Sequence, residues 1–387
     1  VPDVTVRGGR SANSGDKCPD MIDACRVRYE IRTKRNPHHR YHDRLKVHEI
    51  VWMTVESLVS TMNLFKAGEL DYIGDNGSLP PNYIPSLRNK QEFRISNYLA
   101  TYWYELNTRK PPLNDVRVRR ALNLAIDKTQ LVEKVTLGGQ LPASHFTPPY
   151  ARYGYSEQHE QEKAAGTNAL IGPGNEFDPE LARRLLSEAG FTVRQDGEGY
   201  RAEGMAPLEV LYNTNEGHKK IAVAIQDMWK RHLGVSVTLR NEEWKVMLKN
   251  VRDGNFQIVR FGWVGDYSHP QTFMDTFLGE SPNNRTGWAN AEFDRLIREA
   301  RQTQDPVLSM KTYRRAEAIA VAEVPKIPLY FYTKSTMIKP YVKGFFPNER
   351  NEQMIHFMWI DEDWEKGGEN VPAFAIEPLA APGAYTR

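Results

Sequence analysis

The chain has few cysteines for its length. Only two occur among 387 residues, Cys18 and Cys25, and both lie in a polar N-terminal segment. The sequence leaves open whether they form a local disulfide, and two thiols do not establish an oxidising compartment. They are also too few to complete a structural metal site, so we expect no metal there.

Long hydrophobic runs are absent as well. No apolar stretch approaches the roughly 18 residues that a membrane-spanning helix needs. Residues 1–17 are polar and lack the apolar centre of a secretory signal. We therefore expect either that a signal has been removed or that the chain begins partway into a longer product.

Neither sign of charge dominates. Lysine and arginine total 51 against 49 acidic residues, and this balance gives no whole-chain argument for nucleic acid or an anionic membrane surface. Residues 26–46 are locally basic, but their alternating pattern already explains them as the solvated face of a strand. We expect no nucleic-acid partner.

Motifs of common enzymes are also missing. The sequence contains no GxSxG, GxGxxG or HExxH pattern. His38, His39 and His42 could suggest a metal, but Pro37 precedes them and no acidic motif accompanies them, so a solvated turn is expected. The sequence therefore favours a protein without catalytic residues, cofactor or metal.

The composition is that of a soluble globular protein, with 40% hydrophobic and 26% charged residues. The length allows two or three domains. Predicted strands and helices alternate between residues 208 and 261, which indicates an α/β fold. Eight Trp and 18 Tyr would suit a ligand cleft, although core packing is the commoner reason for them.

Residues 107–127, NTRKPPLNDVRVRRALNLAID, are the most informative segment. Pro111 and Pro112 hold the chain extended, so a preceding strand must end there. Asn114 is expected to cap a following helix, with Asp115 in its first turn, because apolar residues then recur at helical spacing. From the residues alone this predicts a strand, a stiff turn and an amphipathic helix.

The same segment resembles a signature of the extracellular solute-binding proteins of peptide ABC transporters (family 5), in which an N-x-x-x-P-P-F-x-D run leads into V-R-x-A-(L/I)-x-x-A-I-D. Leu113 stands here where Phe is common. The RNP turn at residues 35–37 and the predicted helix at 178–191 also resemble family motifs. The resemblance covers roughly residues 26–362, and the family's N-terminal part is expected upstream.

The resemblance implies an α/β fold that is periplasmic-binding-protein-like, type II, with two lobes and a ligand cleft between them. The hinge is expected near residues 98–108 and 333–340. We expect a disordered leader at 1–25, part of lobe I at 26–100 and 335–362, a second ligand-binding α/β lobe at 101–334, and a tail at 363–387.

The segment RFGWVGDY, residues 260–267, is the main candidate site. A strand is expected to end at Phe261, followed by glycines that allow another backbone to approach and by an acid. Locally, a packed Trp with a turn-forming Asp explains the pattern nearly as well. The resemblance implies that this segment grips a peptide and that the acid anchors its amino group, which makes the candidate ligand contacts Gly262, Trp263, Val264, Gly265 and Asp266.

Further candidates would complete the cleft. The resemblance implies that Arg260 and His218 lie near the ligand's carboxylate, and that Tyr102 and Trp244 line the wall. For each of them, ordinary surface or core packing is an open alternative. Thr136 and Val251 stand where relatives often carry a basic residue, which leaves carboxylate recognition weaker or differently supplied.

The sequence thus predicts a non-enzymatic, monomeric protein that binds oligopeptides in an interlobe cleft and delivers them to the permease subunits of an ABC importer. The expected location is the periplasm or, as a lipoprotein, the cell surface. Three alternatives stay open: a binding protein of the same fold for nickel, haem or sugar, a truncated remnant that does not bind, and a hydrolase.

Overall fold

The computed structural model describes residues 20–26, 30–55, 57–74, 79–151, 161, 164–165, 176–197, 199–350 and 357–364. Cys18 and the predicted tail beyond residue 364 lie outside these residues, so the disulfide and the tail are untested. Leu99–Tyr332 forms one compact unit, and the described residues before and after it form another. The lobe boundaries expected from the sequence stay a prediction.

Fourteen strands occur in the described residues. They are β1 (Asp20–Arg26), β2 (Glu30–Arg35), β3 (Glu49–Met53), β4 (Tyr72–Ile73), β5 (Phe93–Leu106), β6 (Leu141–Pro142), β7 (Thr192–Asp196), β8 (Gly199–Glu203), β9 (Leu208–Asn213), β10 (Val237–Glu242), β11 (Ile258–Val264), β12 (Lys326–Ile338), β13 (Val342–Lys343) and β14 (Trp359–Ile360).

The α-helices of the same residues are α1 (Leu58–Ala67), α2 (Ile84–Leu87), α3 (Val116–Leu124), α4 (Lys128–Gln130), α5 (Pro179–Glu188), α6 (Glu216–Leu233), α7 (Trp244–Arg252), α8 (Gln271–Met274), α9 (Ala291–Gln302) and α10 (Pro306–Glu323). Most begin at a polar side chain that accepts a backbone N–H of the first turn, as helix N-termini require. These caps include Ser57, Asp178, Asn215, Glu243, Asn290 and Asp305.

The first unit contains the antiparallel sheet β1-β2-β3 and a small core around α1. Helix α1 ends at Gly68, whose φ of 82° is the left-handed conformation that glycine adopts without strain. Short strand β4 pairs with the end of β12, and β13 pairs with β14. Residues of α1, β4, α2 and β5 supply the core: Met62, Phe65, Ile73, Ile84, Leu87 and Phe93.

One part of the predicted leader is wrong. Residues 20–25 belong to β1 instead of a disordered segment, because β2 pairs with them antiparallel on both sides of an irregularity between Ile22 and Ala24. A pairing of this kind depends on another strand, so the polar composition of the segment alone did not indicate it.

The second unit is built on a sheet of strand order β10-β9-β11-β5-β12, with β6 paired to β12. Strands β10, β9 and β11 are parallel, whereas β11 and β5 are antiparallel. Helices cover both faces, as in other α/β sheets. Strands β5 and β12 each contain residues of both units.

Side chains alternate between the two faces of this sheet. Tyr102 and Tyr104 of β5 join a core with α3, α5 and α6. Leu99 and Trp103 of the same strand join a second core with α7, α9 and α10. This alternation decides which candidate site residues can meet.

Helix α3 begins one residue later than predicted. Its N-cap is Asp115, whose Oδ1 accepts the Arg117 N–H at 2.8 Å, and not Asn114. The turn after Pro112 extends further than expected, because the N–H groups of Asn114 and Asp115 donate to Lys110 and Pro112. The turn therefore includes both residues, and the helix begins after Asp115.

Candidate functional site

Strand β11 carries the centre of the candidate site and is longer than predicted. The sequence suggests an end at Phe261, but the strand continues to Val264. It pairs with β5 along its whole length, with Gly262 opposite Tyr102 and Val264 opposite Ala100. The strand continues past Phe261 because β5 is long enough to pair with the next three residues as well.

The other edge of β11 pairs with β9 over only part of its length in the described residues. Its parallel pairing with β9 involves Ile258 and Val259. In an antiparallel pair, alternate residues direct both backbone polar groups to the partner, and the Gly265 N–H donates to the Leu99 carbonyl at 2.7 Å. By that alternation, the N–H and C=O groups of Gly262 and Val264 point away from β5, to an edge where the described residues of β9 pair no further than Val259.

Gly262 and Gly265 have no room for a side chain within the second unit. A Cβ added to Gly262 would lie 2.9 Å from the backbone oxygen of Thr101, and one added to Gly265 would lie 2.7 Å from the Leu99 side chain. The close backbone that the sequence pattern suggested is therefore, for Gly262, the neighbouring strand β5. Gly265 is buried and its N–H is already bonded.

Asp266 follows the strand and is exposed. Its backbone N–H donates to Thr272 Oγ1 at 3.2 Å, and its Oδ2 accepts the Thr272 hydroxyl at 3.3 Å. The Trp263 Nε1–H donates to the same Thr272 oxygen at 3.0 Å. In the part of the chain that the structure describes, no basic side chain forms an ion pair with Asp266, although several other surface acids have such partners.

Arg260, His218 and Tyr102 lie together on one face of the sheet. The Arg260 guanidinium stacks on the Tyr102 ring at 4.6 Å, and its Nη2 donates to the Tyr332 hydroxyl at 2.9 Å. The Tyr102 hydroxyl lies 3.3 Å from His218 Nδ1. A third contact joins Arg260 Nη1 to Asn213 Oδ1 at 3.4 Å. The structure thus brings three predicted residues into one cluster.

The three side chains of this cluster differ in their charge state. Burial, together with the nearby Arg260 cation, lowers the pKa of His218 to about 2, so the imidazole is neutral at physiological pH. Burial also raises the pKa of the Tyr102 hydroxyl above its ordinary value. Arginine stays protonated in proteins. The cluster therefore offers one permanent positive charge, surrounded by neutral hydrogen-bonding groups.

The two tryptophans lie on the opposite face. Phe261 and Trp263 alternate with Arg260 and Gly262 along β11, and Trp263 packs at the edge of the second core. Trp244, at the start of α7, is 41% exposed and its ring lies 6.0 Å from that of Phe261. The sheet therefore separates the cluster of Arg260, His218 and Tyr102 from the two tryptophans.

Sequence reasoning missed three contributors. Asn213 and Tyr332 contact Arg260, and Thr272 contacts both Trp263 and Asp266. Asn213 comes directly at the end of β9, where a polar residue could have attracted notice. Thr272 has no sequence signal, because a lone threonine after a turn is common.

The described residues contain no group of three His, Cys, Asp or Glu side chains that could hold a metal ion. In the histidine-rich turn, His42 Nδ1 lies 2.8 Å from the Asn36 carbonyl oxygen and the His38 N–H donates to the Asn36 side chain. Among the described helices, none combines the length and the apolar character that crossing a bilayer requires.

Comparisons with known proteins agree in one family. The model described as "Bacterial extracellular solute-binding proteins, family 5 Middle" matches residues 21–285. The periplasmic oligopeptide-binding protein OppA of Salmonella typhimurium is 34% identical over 321 residues, which cover 82% of this chain and 55% of that protein. The chain thus spans about half the length of the curated relatives it matches.

Solved structures show the same likeness. The crystal structure of Haemophilus influenzae OppA in complex with the peptide RPPGFSPFR has a TM-score of 0.71 and 29% sequence identity, covering 88% of this chain and 64% of that one. The murein tripeptide binding protein MppA of Escherichia coli has a TM-score of 0.74 at 29% identity, with the same coverage of both chains.

Proposed function

Because the chain belongs to the bacterial extracellular solute-binding proteins, family 5, we propose that it binds oligopeptides and delivers them to the membrane permease of an ABC importer. Its fold is the α/β, periplasmic-binding-protein-like type II fold of that family. Two of the similar proteins carry peptide binding in their names, and a third was solved with a peptide.

One observation carries the proposal. An exposed carboxylate, Asp266, lies just beyond the end of a strand whose outer backbone edge is open at Gly262 and Val264. An extended peptide can pair with such an edge by backbone hydrogen bonds alone, so its side chains need not be specified. The carboxylate then provides the charge that a free peptide ammonium requires.

The other end of the ligand would meet Arg260. This side chain lies six residues before Asp266 and is the charged member of the cluster with His218 and Tyr102. Its guanidinium is suited to a carboxylate, and the neutral His218 adds a hydrogen-bonding group without a second charge. On this proposal a single arginine recognises the ligand's carboxyl end. This agrees with the sequence, in which Thr136 and Val251 stand at positions where a basic residue could have been present.

Trp263 and Trp244 would contact the guest's side chains from the other face of the sheet. Both have exposed aromatic surface, and aromatic rings bind varied apolar groups with little geometric demand. Such contacts suit a protein that accepts many sequences. The interlobe position of the ligand and the hinge stay predictions from the family resemblance.

The remaining parts of the proposal follow from the family. The members matched here are solute-binding proteins, and we propose that this chain, too, binds without catalysis. It would act as a monomer outside the cytoplasmic membrane, in the periplasm or as a lipoprotein at the cell surface, where the importer's permease would be its partner.

The test is calorimetric titration of the full chain with tetra-alanine and with N-acetyl-tetra-alanine, for the wild type and for Asp266→Asn. We expect the wild type to prefer the free amine at least about tenfold, since a hydrogen bond to a charged group contributes about 1.5–3 kcal/mol. Asp266→Asn should lose most of that preference. Asp227→Asn, which removes an exposed ion-paired acid on α6, serves as the matched control.

Equal binding of the two peptides by the wild type would remove Asp266 from the proposed role. A wild type that binds neither peptide, yet melts cooperatively, would contradict peptide binding by this chain altogether.

A further inference from the structure

Thr272 is a buried residue of α8 that connects two parts of the candidate site. It is 4% exposed, and its hydroxyl contacts three groups: the Trp263 indole N–H, the Asp266 backbone N–H and the Asp266 carboxylate. A hydroxyl has one proton to donate and two lone pairs to accept with. All of its hydrogen-bonding capacity is therefore used by Trp263 and Asp266.

The direction of these hydrogen bonds is fixed by chemistry. The indole N–H and the backbone N–H are donors only, so each must occupy a lone pair of the Thr272 oxygen. The hydroxyl proton is left with a single acceptor, the Asp266 Oδ2 at 3.3 Å. Thr272 thus holds one carboxylate oxygen from inside the protein, while Asp266 itself is exposed.

The residues that follow Thr272 are packed in the protein core. The next two residues of α8, Phe273 and Met274, are fully buried in the second core. Phe273 also lies beside Gly265, whose N–H is bonded to Leu99 of β5. The end of β11 and the start of α8 are therefore fixed to the same core, and the Asp266 carboxylate is held between them.

We infer that Thr272 is a positioning residue for the recognition of a ligand ammonium group: it orients the Asp266 carboxylate and couples it to the Trp263 indole, so that both are presented to the guest as one rigid unit. The inference rests on the proposed function of Asp266. A carboxylate held in advance loses less conformational freedom on binding, and this favours ligands that carry a free amine.

The experiment compares Thr272→Val and Thr272→Ser in the full chain. Valine keeps the shape of threonine and removes the hydroxyl, whereas serine keeps the hydroxyl. The measured quantity is the ratio of the dissociation constants of N-acetyl-tetra-alanine and tetra-alanine. We expect Thr272→Val to reduce this ratio about tenfold and Thr272→Ser to leave it near the wild-type value.

A combined variant separates positioning from general damage. If Thr272 acts through Asp266, the ratio for Thr272→Val with Asp266→Asn should equal that for Asp266→Asn alone. Should Thr272→Val fail to fold, Thr272→Cys, whose thiol is a weaker donor, is measured in its place and should show the same loss of selectivity.

The results that would contradict the proposed function differ from those that would contradict the role of Thr272. A wild type without preference for the free amine contradicts the proposed function. A wild type that has the preference and loses it in Asp266→Asn, but keeps it in Thr272→Val, overturns the role of Thr272 alone. A loss of affinity for both peptides in equal measure would also overturn it, because that result is expected of a purely structural residue.

Discussion

The Arg260 guanidinium lies 4.6 Å from the centre of the Tyr102 ring, so one face of the cation is covered by an aromatic side chain. A guanidinium is weakly hydrated and therefore stacks readily on an aromatic ring. The stacking holds the guanidinium plane in one orientation. With the Tyr332 hydroxyl at 2.9 Å from Nη2, the side chain is fixed from two directions. On the proposed function, this fixed orientation would suit a planar partner such as a ligand carboxylate.

The first prediction concerns Arg260→Lys. An ammonium group keeps the charge but loses the planar fork and most of the stacking on Tyr102. We expect the affinity for tetra-alanine to fall about tenfold relative to tetra-alanine amide, measured by calorimetry. Arg295→Lys, at an exposed ion pair of α9, is the control and should change neither affinity. Equal losses for the acid and the amide would argue against a carboxylate contact.

The second prediction concerns Gly262→Ala. The new Cβ would meet the Thr101 backbone oxygen at 2.9 Å, and a backbone atom in a central strand cannot move aside cheaply. We expect the free energy of unfolding to fall by about 1–3 kcal/mol in urea titrations. Gly199→Ala is the matched control, because its nearest heavy atom is 3.9 Å away, and it should stay within about 0.5 kcal/mol of the wild type.

The third prediction concerns pH. Glu317 of α10 is fully buried and accepts the N–H groups of Phe146 and Thr147 at 2.7 Å each. Burial raises the pKa of this carboxyl to about 7. In the unfolded chain a glutamate titrates near 4.5, so between pH 4.5 and 7 the folded state keeps a proton that the unfolded state has lost. Stability from this group therefore falls as the pH rises through that window.

Glu317→Gln removes this titration and keeps an oxygen that can accept the same two N–H groups. The stability of the wild type relative to the variant should decline by roughly 3 kcal/mol between pH 4.5 and 7 and then level off. Urea unfolding at several pH values measures it, with Glu280→Gln as an exposed control. A difference that does not change with pH would contradict the raised pKa. His218 and Lys128, whose pKa values are lowered by burial, are present in both proteins, so their contributions cancel in the difference.

Local signals accounted for much of the fold. Helix α5 is capped by Asp178, and α1 is ended by Gly68, as the residues indicate, because a cap or a left-handed glycine acts within a few residues. The cap of α3 was assigned one residue too early, since the preceding turn uses backbone hydrogen bonds that composition does not specify.

Long-range contacts account for what could not be foreseen. The strand was expected to end at Phe261, but pairing with β5 extends β11 to Val264. The family resemblance pointed to Arg260, His218 and Tyr102, yet their meeting depends on the register of separate strands and a helix. Thr272 was missed because its importance lies in the two residues that its hydroxyl contacts, Trp263 and Asp266.

The open edge at Gly262 and Val264 also limits how a guest chain could shift along the protein. Only alternate residues of β11 direct their backbone N–H and C=O groups to this edge. A bound peptide could therefore change its register with β11 only in steps of two residues. On the proposed function, a shift of the guest by one position would turn each of its side chains to the opposite face and move its amino terminus away from Asp266. Longer guests would therefore add residues at the far end and leave the starting point unchanged.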